Sequence, residues 1–95
     1  MDKSKFPVLL HLWNAAFPSD NRLEQAVSST SLKVAAACLR KAARAAENTN
    51  NLERRMPFWR AANAAEVIVL SLTPGTPPAE LEESMAYALA HPAKD

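Results

Sequence analysis

The sequence predicts an all-α fold, a small dimeric four-helix bundle with antiparallel neighbouring helices, on three observations. Alanine dominates residues 35–46, interrupted only by Cys38, Leu39, Arg40, Lys41 and Arg44. Alanine is the strongest helix former, and its methyl group lets a neighbouring helix approach closely. Outside that run, apolar residues recur at helical spacing. Finally, prolines and the single glycine divide the chain into helix-length segments, because proline lacks an amide donor and restricts the residue before it. The 95 residues make one helical domain, 1–95, and folding would bury about two-thirds of the accessible surface of the unfolded chain.

Four helices are expected, at about 7–17, 20–47, 52–72 and 78–90. In the first, Phe6, Leu10, Trp13 and Phe17 make one face and Leu9, Leu12 and Ala16 an adjoining one. Pro7 suits a first-turn position and Pro18 ends the helix. The second opens at Ser19 or Asp20, whose short oxygen-bearing side chains accept orphan backbone N–H groups. Leu23, Val27, Val34, Cys38 and Ala45 keep its helical period. Its weak point is Ser28-Ser29-Thr30-Ser31, where hydroxyl groups compete for the backbone and can split the element in two. Asn48-Thr49-Asn50-Asn51 connects it to the third helix, which either starts at Asn51 and bends at Pro57 or begins afresh at Pro57. Residues 73–78, Thr-Pro-Gly-Thr-Pro-Pro, stop that helix. In the fourth, Leu81, Met85, Ala88 and Leu89 make the inner stripe, Glu80, Glu82 and Glu83 complement the positive end and His91 the negative end. The echo between Trp13-Asn14-Ala15-Ala16 and Trp59-Arg60-Ala61-Ala62 is read as coincidence in an alanine-rich chain.

A single cysteine cannot form an intrachain disulfide and there is no Asn-x-Ser/Thr sequon, which together favour a reducing compartment, read as cytoplasmic. The segment 1–13 loosely resembles a signal peptide, but its apolar run is short and carries Pro7 and His11. No stretch approaches the roughly 20 apolar residues that cross a bilayer. The alanine and arginine content fits a GC-rich bacterial genome.

Net charge is only +1, yet the charges are unevenly placed. Lys33, Arg40, Lys41, Arg44, Arg54, Arg55 and Arg60 face only Glu47 and Glu53 across the middle of the chain. From residue 61 onward Glu66, Glu80, Glu82, Glu83 and Asp95 face only Lys94. The candidate basic surface is therefore Lys33, Arg40, Lys41, Arg44, Arg54 and Arg55, with Lys33, Arg40 and Arg44 on one helical side. It is read as solvated, or paired with the acidic fourth helix within the monomer or across a dimer, rather than as a nucleic-acid site.

Raw material for catalysis is thin. His11 and His91 are read as an edge position and a dipole partner, and Cys38 as a small apolar residue within the alanine run. No His or Cys pair has metal-ligand spacing, and no cofactor or metal is assigned. What points to interaction is an excess of apolar surface on the first and third helices, more than one stripe each, which predicts a homodimer. Leu9, Leu12, Trp13, Val67, Val69 and Leu70 are its expected contact surface. The function expected is a noncatalytic protein–protein interaction module that self-associates. The alternatives are a nucleic-acid-associated accessory protein using residues 33–60 and an inhibitor or immunity-type protein binding one specific macromolecule; an enzyme ranks last.

Overall fold

A computed structural model of the chain describes residues 6–90, excluding the side chains of Met85 and of residues 87–90. Among these residues the protein is all-α, with five helices and no strand: α1 (Phe6–Ala16), α2 (Arg22–Ser29), α3 (Leu32–Glu47), α4 (Leu52–Leu72) and α5 (Pro78–Ala90). Three of the four expected helices correspond closely to α1, α4 and α5, and the remaining one is expected over the long segment 20–47. That last segment is two helices.

The split lies at the hydroxyl-rich stretch and has a local cause. Thr30 adopts the left-handed region (φ 50°, ψ 43°), so α2 cannot continue through it. Its N–H bonds back to the Val27 carbonyl, and the Ser31 N–H reaches the Ala26 carbonyl at 2.9 Å, the nested pair that closes many helix C-termini. Ser31 then starts the next helix, its Oγ accepting the Val34 N–H at 3.2 Å. Two adjacent residues, Thr30 and Ser31, thus end α2 and cap α3, which lets the chain turn without a loop. Glycine is the usual residue at such a left-handed position; a β-branched threonine there is strained.

Asn51 caps α4, its Oδ1 accepting the Arg54 N–H at 3.2 Å, and the helix runs on through Pro57. Of the two starts open to this helix, at Asn51 or at Pro57, the earlier is the observed one. At its far end Thr73-Pro74-Gly75-Thr76 turns the chain, with Gly75 at φ 84° supplying the left-handed position that this turn requires.

α4 is the centre of the fold. It packs most extensively on α3, then on α1 and α5, while α2 lies against α3. Ala61, Ala62, Ala64, Ala65, Val67 and Ile68 of α4 are all buried, as are Ala35, Cys38, Ala42 and Ala46 of α3. Phe6, Leu9 and Trp13 of α1 and Leu23 and Ala26 of α2 complete the core. Leu81 of α5 is buried; the side chains of the other residues expected on its inner stripe, Met85, Ala88 and Leu89, and the expected dipole partner His91 lie outside what is described. The radius of gyration, 12.3 Å, is close to the roughly 12.4 Å expected of a compact chain of this length.

The broad apolar circumference of α4 is thus covered from three sides within one chain. The inference that two such faces exceed what a monomer can hide does not hold here, because one helix is central rather than one of four equivalent members.

The strain at Thr30 gives a direct test. Replacing it with glycine removes a left-handed L-residue that costs roughly 1–2 kcal/mol but loosens the unfolded chain, so Thr30→Gly is expected to stabilise by about 0.5–1 kcal/mol. Denaturant unfolding with an unchanged slope would measure this, and a destabilised variant would contradict it.

Candidate functional site

The most developed polar constellation lies at the corner between α1 and α2, where Asp20 meets α3. Its aromatic base follows from the sequence of α1: Trp13 and Phe17 are one turn apart, so their rings lie on one side. Their centroids are 4.5 Å apart with planes tilted by 39°, and Phe58 of α4 continues the series 5.5 Å from Phe17. The indole N–H of Trp13 donates to the Asp20 carbonyl at 2.8 Å and fixes the corner to the core. The Asp20 N–H bonds to the Phe17 carbonyl at 3.1 Å.

With its backbone held, Asp20 projects a carboxylate that is only 12% exposed. Its Oδ1 accepts the backbone N–H of Arg22 at 3.0 Å, which satisfies one orphan donor at the start of α2. The Arg22 guanidinium grips both carboxylate oxygens, at 2.8–3.2 Å. From α3, Lys41 reaches the same carboxylate and stands 4.6 Å from the centre of the Phe17 ring, where the ring face attracts a cation. The Arg22 guanidinium and then Lys41 hold the Asp20 carboxyl well below the usual carboxylate range, although its partial burial opposes this.

Ala16, Phe17, Pro18, Ser19, Asp20, Asn21, Arg22 and Lys41 line a shallow open cleft around this group. Its one acid is already saturated by two cations of the chain itself. Such an arrangement locks three helices together; it leaves no group poised to exchange a proton near neutral pH.

The expected basic surface separates into parts. On α3, Lys33, Arg40 and Arg44 lie within about 40° of one another around the axis, roughly opposite Ala35, Cys38, Ala42 and Ala46, so this stripe points directly away from the core. All three are exposed, and none forms an ion pair among the described residues. Lys41 sits about 80° around from the stripe and belongs to the Asp20 corner instead. Arg54 is exposed at the start of α4, whereas Arg55 is partly buried and its Nε donates to the Thr49 carbonyl at 2.9 Å, closing the α3–α4 turn. The acidic Glu80, Glu82 and Glu83 of α5 are exposed, and none pairs with a base among the described residues.

The expected contact surface is corrected in half its members. Leu9, Trp13 and Val67 are at most 1% exposed and belong to the core of the single chain, so they cannot contribute to an outer face of this fold. Leu12, Val69 and Leu70 are partly exposed. Three large aliphatic residues not singled out by the sequence, Val8, Leu32 and Leu52, are exposed instead, at 45%, 37% and 46%.

His11 is exposed. The Cys38 thiol is buried, and desolvation raises its pKa, the opposite of what activates a nucleophile. Among the described residues no group of three His, Cys, Asp or Glu side chains is placed to hold a metal ion, and no helix is long and apolar enough to cross a membrane. Comparison of the chain with protein-family models, with curated proteins and with solved structures finds no match.

The Asp20 corner has a pH signature. Because the folded-state pKa of Asp20 is depressed, its ionic contribution is complete above the ordinary value of 3.8 and is lost as pH falls below it. Arg22 and Lys41 are themselves substantially solvated, which limits the contribution. Asp20→Asn keeps the backbone acceptor but removes the charge, and is expected to cost about 1–2 kcal/mol at pH 7. The gap from the wild-type protein should narrow as denaturation is repeated at successively lower pH below 3.8; a gap independent of pH would show that the charge contributes nothing.

Proposed function

We propose that the protein is a noncatalytic helical interaction module that self-associates. The observation supporting this reading is the composition of its exterior: Arg40, Arg44, Arg54 and Arg60 are exposed alongside the large aliphatic side chains of Val8, Leu32 and Leu52. Exposed arginine and exposed large aliphatic side chains are both features of protein-binding surfaces, the arginine head making directional hydrogen bonds while its stem packs. The one elaborated polar cluster, at Asp20, turns its charges on each other rather than on a ligand. Of the expected contact surface, Leu12, Val69 and Leu70 are partly exposed, Leu12 and Val69 packing on the core with the rest of their side chains.

A second reading, nucleic-acid binding, draws on the alignment of Lys33, Arg40 and Arg44 along the outer side of α3. The chain has nearly as many acids as bases, and the acids of α5 are exposed too, which lowers the overall attraction for a polyanion. Association with protein is therefore the preferred reading. An inhibitor of one specific macromolecule would use the same exterior but remain monomeric until its target is present.

Sedimentation of the chain from micromolar to millimolar concentration tests the proposal. The weight-average mass is expected to rise above that of one 10.4 kDa chain, and a single-chain mass throughout would overturn self-association. In parallel, random duplex DNA and single-stranded RNA should bind no tighter than roughly 10⁻⁴ M at about 0.15 M salt, the weak end of non-specific binding. Submicromolar binding to either would favour the second reading.

A further inference from the structure

We infer that a second copy of the chain is seated by opposite charge, the outer stripe of α3 (Lys33, Arg40, Arg44) lying against the exposed acids Glu80 and Glu83 at the start of α5. The inference rests on the self-association reading and names the surfaces that carry it. Both faces belong to helices packed on α4, and α3 and α5 make no substantial contact with each other within the chain. The stripe points away from the core, and on α5 Glu80 and Glu83 are exposed about 60° apart around the axis while Leu81 turns inward. Each face is thus charged, solvated and without an opposite partner among the described residues of its own chain.

Electrostatics then selects among the ways two copies can meet through these faces. Placing α3 on α3 brings Lys33, Arg40 and Arg44 against like charges, and α5 on α5 does the same with glutamates; both are repulsive. Only α3 against α5 is attractive. The repeats also match: at about 1.5 Å rise per residue, Arg40 and Arg44 stand about 6 Å apart along their helix and Glu80 and Glu83 about 4.5 Å, so two pairs can form together. Made reciprocally, the contact is used twice and closes a two-copy assembly. Exposed ion pairs are individually weak and readily screened, so this contact sets register and encounter, and its association is salt-sensitive.

The test is a charge swap read by sedimentation equilibrium of the full chain. Arg40→Glu with Arg44→Glu gives copies whose α3 and α5 are both acidic; Glu80→Lys with Glu83→Lys gives copies whose α3 and α5 are both basic. Each variant alone should associate at least about tenfold more weakly than the wild-type chain, and an equimolar mixture of the two should recover association. Circular dichroism verifies that each is folded. Should a reversal disturb folding, the neutral variant Arg40→Gln with Arg44→Gln should flatten the dependence of association on salt. Wild-type association that persists unchanged in either reversed variant, or a mixture that stays monomeric, overturns this inference while leaving self-association standing. A wild-type chain that is monomeric at every concentration overturns both.

Discussion

The architecture depends on the close approach of α4 to its neighbours, and that approach depends on alanine. α4 is buried along much of its circumference, with four alanines, a valine and an isoleucine closed off from solvent. Facing it, α3 contributes three buried alanines and Cys38. Side chains this small bring helix backbones near one another and leave little entropy to lose on burial. The same smallness limits how much apolar area each residue removes from water, so the larger side chains must come from elsewhere. They come from α1 and α2, where Phe6, Leu9, Trp13 and Leu23 close the ends of the seam. The central position of α4 thus turns a helix with hardly any amphipathic contrast into the core of a single chain.

The Asp20 corner is the complement of that seam. α1 and α3 are distant in sequence, and the aromatic series from Trp13 through Phe17 to Phe58 joins α1 to α4 by apolar contact. Asp20 adds direction: the indole N–H of Trp13 fixes its carbonyl, and its carboxylate gathers Arg22 and Lys41, tying the start of α2 and the middle of α3 to the same point. Its cations leave the carboxylate no role as a base. Among the described residues, Lys33, Arg40 and Arg44 of α3 and the glutamates of α5 form no ion pair.

Much of the fold was legible in the sequence because its signals are local. Proline, the Asn51 cap and the helical period of Phe6, Leu10, Trp13 and Phe17 place α1, α4 and α5 to within a residue or two. The stretch at Ser28–Ser31 was recognised as a breaking point, but its outcome was not readable: the turn uses threonine in a left-handed conformation where sequence rules look for glycine or asparagine. The expected contact surface included core residues because periodicity describes one helix at a time and cannot say which helix will be central. Leu9, Trp13 and Val67 moved from expected interface to core for that reason. The Asp20–Lys41 pair was missed because its partners are 21 residues apart and meet only after α2 folds back on α3. The one available signal was that Lys41 sits off the stripe of Lys33, Arg40 and Arg44.

The alanine seam can be tested by filling it. Ala42 is fully buried on the core side of α3, whereas Ala15 is exposed on α1, and both are helical, so leucine at the two positions differs mainly in the space available. Denaturant unfolding of the two variants is the most direct measurement. Ala42→Leu is expected to lose about 1–3 kcal/mol through overpacking, and Ala15→Leu to stay within about 0.5 kcal/mol of the wild-type protein. A neutral or stabilising Ala42→Leu would show that α3 is not held close by its alanines and would contradict the account.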